Sequence, residues 1–197
     1  MSFVVGLTGP TGAGKSSATD VAINLGFKVI DCDRIARVAV EKGSDGLAAV
    51  VAAFGDDILN SDGTLNRKKL AETAFAASQK TELLNKTLLP HIVKLIKSEI
   101  NAPLVLLDAP TLFESGIDNI CNEVIVVLSD EKVRKKRIME RDGIDEQATE
   151  LRIKAGKADN YYIEKTNNII YNDCELSVLK LKIQKLLSKI LEENQNV

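Results

Sequence analysis

The chain has 197 residues, 45% of them apolar and 27% charged, with a net charge of -2. That length suits one compact domain with a buried core, and the near-neutral balance argues against a global pull toward nucleic acid or an anionic membrane. Three scattered cysteines, Cys32, Cys121 and Cys174, form no CxxC pair; this argues against a disulfide framework or a zinc site and for a reducing compartment.

The first predicted element is a strand over "FVVGLT" (3–8), followed by "GPTGAGKSS" (9–17) and a helix over "SATDVAINLG". "FVVGLT" is too short to span a bilayer and no cleavable leader precedes it, so a cytoplasmic protein is expected. Gly9, Gly14, Lys15 and Ser16 satisfy G-x-x-x-x-G-K-[ST] in the strand-then-helix context that the motif requires. Glycines let backbone N–H groups turn inward around phosphate oxygens, and the helix N-terminus adds its positive end. Gly9, Pro10, Thr11, Gly12, Ala13, Gly14, Lys15, Ser16 and Ser17 are therefore the predicted nucleotide-binding residues. Lys15 supplies a point charge to the β- and γ-phosphates of a bound nucleotide, and the Ser16 hydroxyl is a candidate ligand of Mg²⁺.

A second strand, "FKVID" (27–31), runs into "CDRIAR". Ligands of an open parallel sheet sit beyond the C-terminal ends of its strands, which makes Asp31 and Asp33 candidates to orient a hydroxyl acceptor and take its proton. Either could instead cap the helix beginning near Ile35. Residues 34–101 show no strand pattern, too long a stretch for an ordinary crossover, and read as several helices forming a substrate domain. Within it, "DGTLNRKKLAETAF" places Leu65, Leu70, Ala74 and Phe75 on one apolar face, and Pro90 should kink or split the helical run from Thr81 to Ile100.

The third strand, "LVLLD" (104–108), ends in Asp108, which fits a Walker-B-like carboxylate holding Mg²⁺ directly or through water. After the fourth strand, "EVIVVL" (123–128), come a basic helix, "DEKVRKKRIMERD", and a polar one, "DEQATELRIKA". Arg137 and Arg141 are four apart and share a face. Spacing alone fits both a solvated basic face and a lid that delivers arginines to phosphates; Arg152 is a further candidate. A fifth strand, "NNIIY" (167–171), precedes a C-terminal helix with Leu179, Ile183, Leu186 and Ile190 at three- and four-residue spacing. This helix is expected to pack on the sheet, the pattern being too short to argue a coiled coil. The alternation of strands and helices implies an α/β parallel sheet. A guanine-nucleotide switch is unsupported: "NKTL" has Leu88 where such proteins carry Asp, and "DAPT" has Thr111 in place of Gly.

From about residue 3 to 173 the sequence resembles the dephospho-CoA kinase family, on "GLTGPTGAGKSS", "LGFKVIDCDRIAR", "FGDDILNSDGTLNRKKLAETAF", "LLDAPTLFESG", "RIMERD" and "IIYND". The resemblance implies transfer of the γ-phosphate of ATP to the ribose 3′-hydroxyl of dephospho-CoA, the last step of coenzyme A synthesis. It assigns Asp33 as the base or acceptor-orienting carboxylate, Arg137 and Arg141 as lid arginines, and Asn172 to a place near the adenine of ATP. It also implies a nucleoside-monophosphate-kinase-like sheet of five parallel strands in a single P-loop kinase domain. The core would comprise about 1–33, 102–136 and 164–197, with a helical substrate-binding insertion at about 34–101 and a lid at about 137–163. The expected partner is dephospho-CoA, with no nucleic acid or membrane, and the expected state a monomer or weak homo-oligomer. The chain departs from the family pattern in four places: Leu89 stands for the His of a His-Pro pair, so His91 cannot inherit its role; Gly156 stands for a Gln; Tyr162 stands for what is often a basic residue; and Thr166-Asn167 stands for Ala-Asp before the final strand.

Overall fold

The computed structural model describes residues 2–194. In chain order the elements are β1 (Phe3–Thr8), α1 (Lys15–Asn24), β2 (Lys28–Asp31), α2 (Cys32–Val38), α3 (Asp45–Phe54), α4 (Arg67–Ala74), α5 (Ser78–Glu99), β3 (Leu104–Asp108), α6 (Leu112–Ser115), β4 (Glu123–Leu128), α7 (Glu131–Asp142), α8 (Glu146–Lys154), α9 (Asp159–Ile163), β5 (Asn168–Tyr171) and α10 (Leu176–Asn194). The strands form one sheet in the order β2-β3-β1-β4-β5, a five-stranded parallel sheet with flanking helices. In register, Val5 lies opposite Leu106 of β3 and Glu123 of β4, and Val127 opposite Ile170 of β5.

The chain divides into two compact units. The sheet unit comprises residues up to Ile30, Ala102–Leu112 and residues from Asp118 onward. Its core joins Val5 and Leu7 of β1, Val21 and Ala22 of α1, Val127 of β4 and Ile170 of β5. Continuously apolar strands are what a sheet buried on its faces requires. The amphipathic α10 adds Leu179, Ile183, Leu187 and Ile190 to the same cluster, each worth roughly 1.5–3 kcal/mol of burial. The C-terminal helix therefore packs as expected, with one change: Leu187 is the buried member of its pair, and Leu186 is only partly covered.

The helical unit, Asp31–Asn101 with Phe113–Ile117, has its own core of Val40, Val50, Ile58, Leu70, Ala74 and Leu84. Side-chain oxygens fix where its helices begin: Ser44 accepts from the Leu47 amide and Asn66 from the Lys69 amide. An antiparallel bridge joins Leu59 to Leu65.

Two expectations are revised here. Leu65 precedes α4 rather than belonging to it, and Phe75 follows it and is 67% exposed, so the apolar face narrows to Leu70 and Ala74. Pro90 does not split its helix, since α5 runs unbroken from Ser78 to Glu99. Proline removes one N–H, which orphans the carbonyl one turn back at Lys86. Both residues are exposed, so water can satisfy that carbonyl. Among the described residues no helix is long and apolar enough to cross a membrane.

Candidate active site

Leaving β1, the chain turns through the glycine-rich loop and enters α1 at Gly14, whose φ of 94° is left-handed. Only glycine adopts this conformation without strain. A Cβ there would also collide with the Asn172 amide. At Gly12 a Cβ would come within 3.0 Å of the Arg134 carbonyl, so the loop and the basic helix α7 touch backbone to backbone.

No side chain caps the N-terminus of α1, and its first turn carries no acid. The positive end of the helix is thus left for an anion. The Lys15 ammonium folds back on the loop and donates to the Gly9 carbonyl at 2.8 Å. Ser16, in the same turn, is exposed.

Asp108 ends β3, where the register with Leu7 places it beside β1. The Thr19 hydroxyl lies 3.3 Å from Asp108 Oδ2 and 3.3 Å from the Lys15 carbonyl. Sequence reading missed this threonine. Its signal is spacing: Thr19 follows Lys15 by four residues and so shares its face of α1.

On the far side of the loop, Asn172 is buried, and its amide donates to the Ala13 carbonyl at 2.7 Å. Arg137 joins this contact from α7. Its Nη2 donates to the Asn172 backbone and side-chain oxygens at 3.2 and 3.3 Å, and its Nη1 to Ser129 Oγ at 3.2 Å. Ser129 in turn lies 2.9 Å from Asp173 Oδ1, which also accepts from the Asp130 amide. Ser129 and Asp173 were likewise missed; both stand just beyond the ends of β4 and β5, where ligands of a parallel sheet gather.

The rest of the basic run scatters. Arg134 turns inward and pairs with Asp159 at 3.5 Å. Lys135 bonds Glu150 of α8 at 2.8 Å, which raises its pKa. Arg141 donates through Nε to Asp142 at 2.7 Å, and Arg152 reaches the same carboxylate at 2.6 Å. The hydrogen bond from Arg141, chiefly, holds Asp142 below the usual carboxylate range. The structure thus brings Arg137 to the loop and leaves Arg141 and Arg152 sharing an acid.

In the helical unit, Asp31 is the N-cap of α2 and accepts from the Arg34 amide at 2.9 Å. The helix begins at Cys32, not near Ile35, and Asp33 lies in its first turn. The capping role that sequence left open between the two acids falls to Asp31.

A glycine-rich loop opening an uncapped helix at the end of a parallel strand, with an arginine of a later helix beside it, defines a P-loop kinase. A shikimate kinase structure from Bacteroides thetaiotaomicron shares this fold at 16% identity, with a TM-score of 0.54 over 96% of this chain and 98% of that one. The family model for dephospho-CoA kinase matches residues 3–177, and the chain belongs to the dephospho-CoA kinase family. It is 36% identical to a dephospho-CoA kinase from Fusobacterium nucleatum over 95% of this chain and 98% of that protein. The solved structure of a dephospho-CoA kinase from Campylobacter jejuni is 25% identical, with a TM-score of 0.67 over 98% of this chain and all of that one.

Proposed function

We propose that this protein transfers the γ-phosphate of ATP to the ribose 3′-hydroxyl of dephospho-CoA, giving coenzyme A and ADP. The observation that carries the reading is the loop itself: a complete phosphate cradle, held by Asn172 and faced by Arg137, in a chain whose family is defined almost end to end.

Asp33 accepts the proton of the ribose hydroxyl as its oxygen attacks the γ-phosphorus. The bond to the β–γ bridging oxygen breaks, and ADP leaves with that electron pair. Lys15 exchanges the Gly9 carbonyl for phosphate oxygens. Arg137 neutralises charge on the transferring group from where it stands. Arg141 joins it by giving up Asp142 as residues 137–163 close, which also excludes water as a competing acceptor. Asn172 is a positioning residue that holds the loop through Ala13.

Ser16 and Asp108 would hold Mg²⁺. The fit rests on their chemistry: both offer hard oxygen donors, and Thr19 steadies the carboxylate. Among the described residues no group of three or more His, Cys, Asp or Glu gathers as a closed cage, and Mg²⁺ in kinase sites needs none, taking one or two protein oxygens with phosphate and water. Bound there, it would offset phosphate charge.

The test is ADP release from MgATP with dephospho-CoA, AMP, CMP or buffer as acceptor. Turnover confined to dephospho-CoA is expected; turnover confined to a nucleoside monophosphate overturns the reading. Asp33→Asn should leave ATP affinity near normal and lower turnover by roughly 10²–10⁴-fold. Unimpaired turnover would remove Asp33 from the chemistry.

A further inference from the structure

The helical unit contains a pocket of about 230 Å³ that the phosphate site does not use. Its floor is the buried trio Val40, Leu70 and Leu84. Ala71 and Leu88 line its walls, and Arg37, Arg67 and Phe75 complete it. Three features distinguish it from a packing defect. Phe75 is 67% exposed, an aromatic ring left in water beside an apolar cavity. Arg37 and Arg67 are both exposed. Among the described residues, neither guanidinium forms an ion pair or a side-chain hydrogen bond, although most of the protein's other arginines do. Apolar lining with a few convergent charged groups is the usual make-up of a ligand site, and paired guanidinium groups are suited to phosphate oxygens.

We propose that Arg37 and Arg67 bind the diphosphate of dephospho-CoA, and that the pocket takes the dimethyl-bearing carbon chain directly beyond it, with Phe75 along one side. This rests on the function proposed above. The order of chemical groups matches the order of residues. Asp33 and Arg37 are four apart on α2 and share a face about 6 Å apart along the axis. A ribose 3′-hydroxyl and the 5′-phosphate of the same nucleotide are separated by only a few bonds, a comparable span. One turn further on, at Val40, the wall becomes apolar, as the ligand does beyond its diphosphate. The adenine ring fits this cavity poorly: apart from the two arginines, every lining residue is apolar, so the donors and acceptors of a base edge would lose water without gaining partners.

Two kinds of variant test the assignment. Arg37→Gln and Arg67→Gln should each weaken dephospho-CoA binding about tenfold or more, read as Kd by calorimetry without nucleotide and as KM in turnover, while the KM for ATP stays put. Ala71→Trp fills the cavity, and Phe75→Ala strips its open side at an exposed position where folding is not at stake. Both should raise the KM for dephospho-CoA about tenfold while the KM for ATP stays put. Circular dichroism and a thermal melt confirm that each variant is folded. Unchanged Kd in both arginine variants, or an unchanged KM for dephospho-CoA in Phe75→Ala and folded Ala71→Trp, overturns the pocket assignment. Wild-type protein that ignores dephospho-CoA but phosphorylates another acceptor overturns the parent reading instead, so the two failures are distinguishable.

Discussion

Around the phosphate loop, charged and polar side chains are already engaged: Lys15 with Gly9, Asp108 with Thr19, Arg137 with Asn172 and Ser129. In the helical pocket, Arg37 and Arg67 stand in water beside an exposed ring. The first arrangement is built in advance, so phosphate charge meets dipoles that need little reorganisation, the condition under which electrostatic stabilisation is most effective. The second waits for its counter-charge to arrive with the ligand. Handling of the donor should therefore be sensitive to backbone geometry, and recognition of the acceptor to charge and salt.

The sharpest way to break this contrast is at the loop. Gly14→Ala places a methyl group against the Asn172 amide at a left-handed φ, and Lys15→Ala removes the loop cation. Each should lower kcat/KM for ATP by roughly 10²–10³-fold in an ADP-release assay, far more than any pocket variant changes it.

The two arginines of α7, Arg137 and Arg141, come next. Arg137→Ala should cost about 10²-fold in turnover. It should also cost about 1 kcal/mol of stability, since its bonds to Asn172 and Ser129 are lost. Arg141→Ala should slow turnover with little change in melting temperature, because Asp142 keeps Arg152 as a partner. Equal melting shifts would erase the distinction between a preset arginine and a recruited one.

A gentler probe is ionic strength. Raising salt from about 0.05 to 0.5 M should increase the KM for dephospho-CoA severalfold, because exposed guanidinium groups are screened. The increase should shrink in the Arg37→Gln, Arg67→Gln double variant.

The smallest effect concerns Cys121, which burial, aided by the nearby Asp118 charge, pushes up from 9.0 to about 12. The folded state favours the thiol, so its contribution to stability is full below about pH 9 and declines as pH rises toward 12. Urea midpoints at pH 8 and pH 10 should therefore diverge slightly more for the wild type than for Cys121→Ala.

Much of the sheet unit was legible beforehand because strand and loop signals are local. Each predicted strand falls within one residue of its observed start, and the phosphate loop carries its own grammar of glycine, lysine and serine. The supports were less visible. Thr19 needs α1 wound before it reaches Asp108, and Ser129 meets Asp173 only when β4 and β5 are paired. In the helical unit, periodicity placed Leu65 and Phe75 on a buried face, but α4 is only eight residues long and leaves both outside it. Pro90 fails to split its helix for a different reason: the expectation of a break assumes that the orphaned carbonyl has nowhere to turn, whereas an exposed one has solvent. Asp31 and Asp33 were indistinguishable by type and separated only by where α2 begins.

The bond from Asn172 to Ala13 spans 159 positions of chain, and it has a bearing on biosynthesis. A polypeptide still emerging from the ribosome, halted before β5, would already display the whole glycine-rich signature yet lack the carboxamide that braces it. Competence to grip a triphosphate should accordingly switch on late in translation, with the last strand rather than the first.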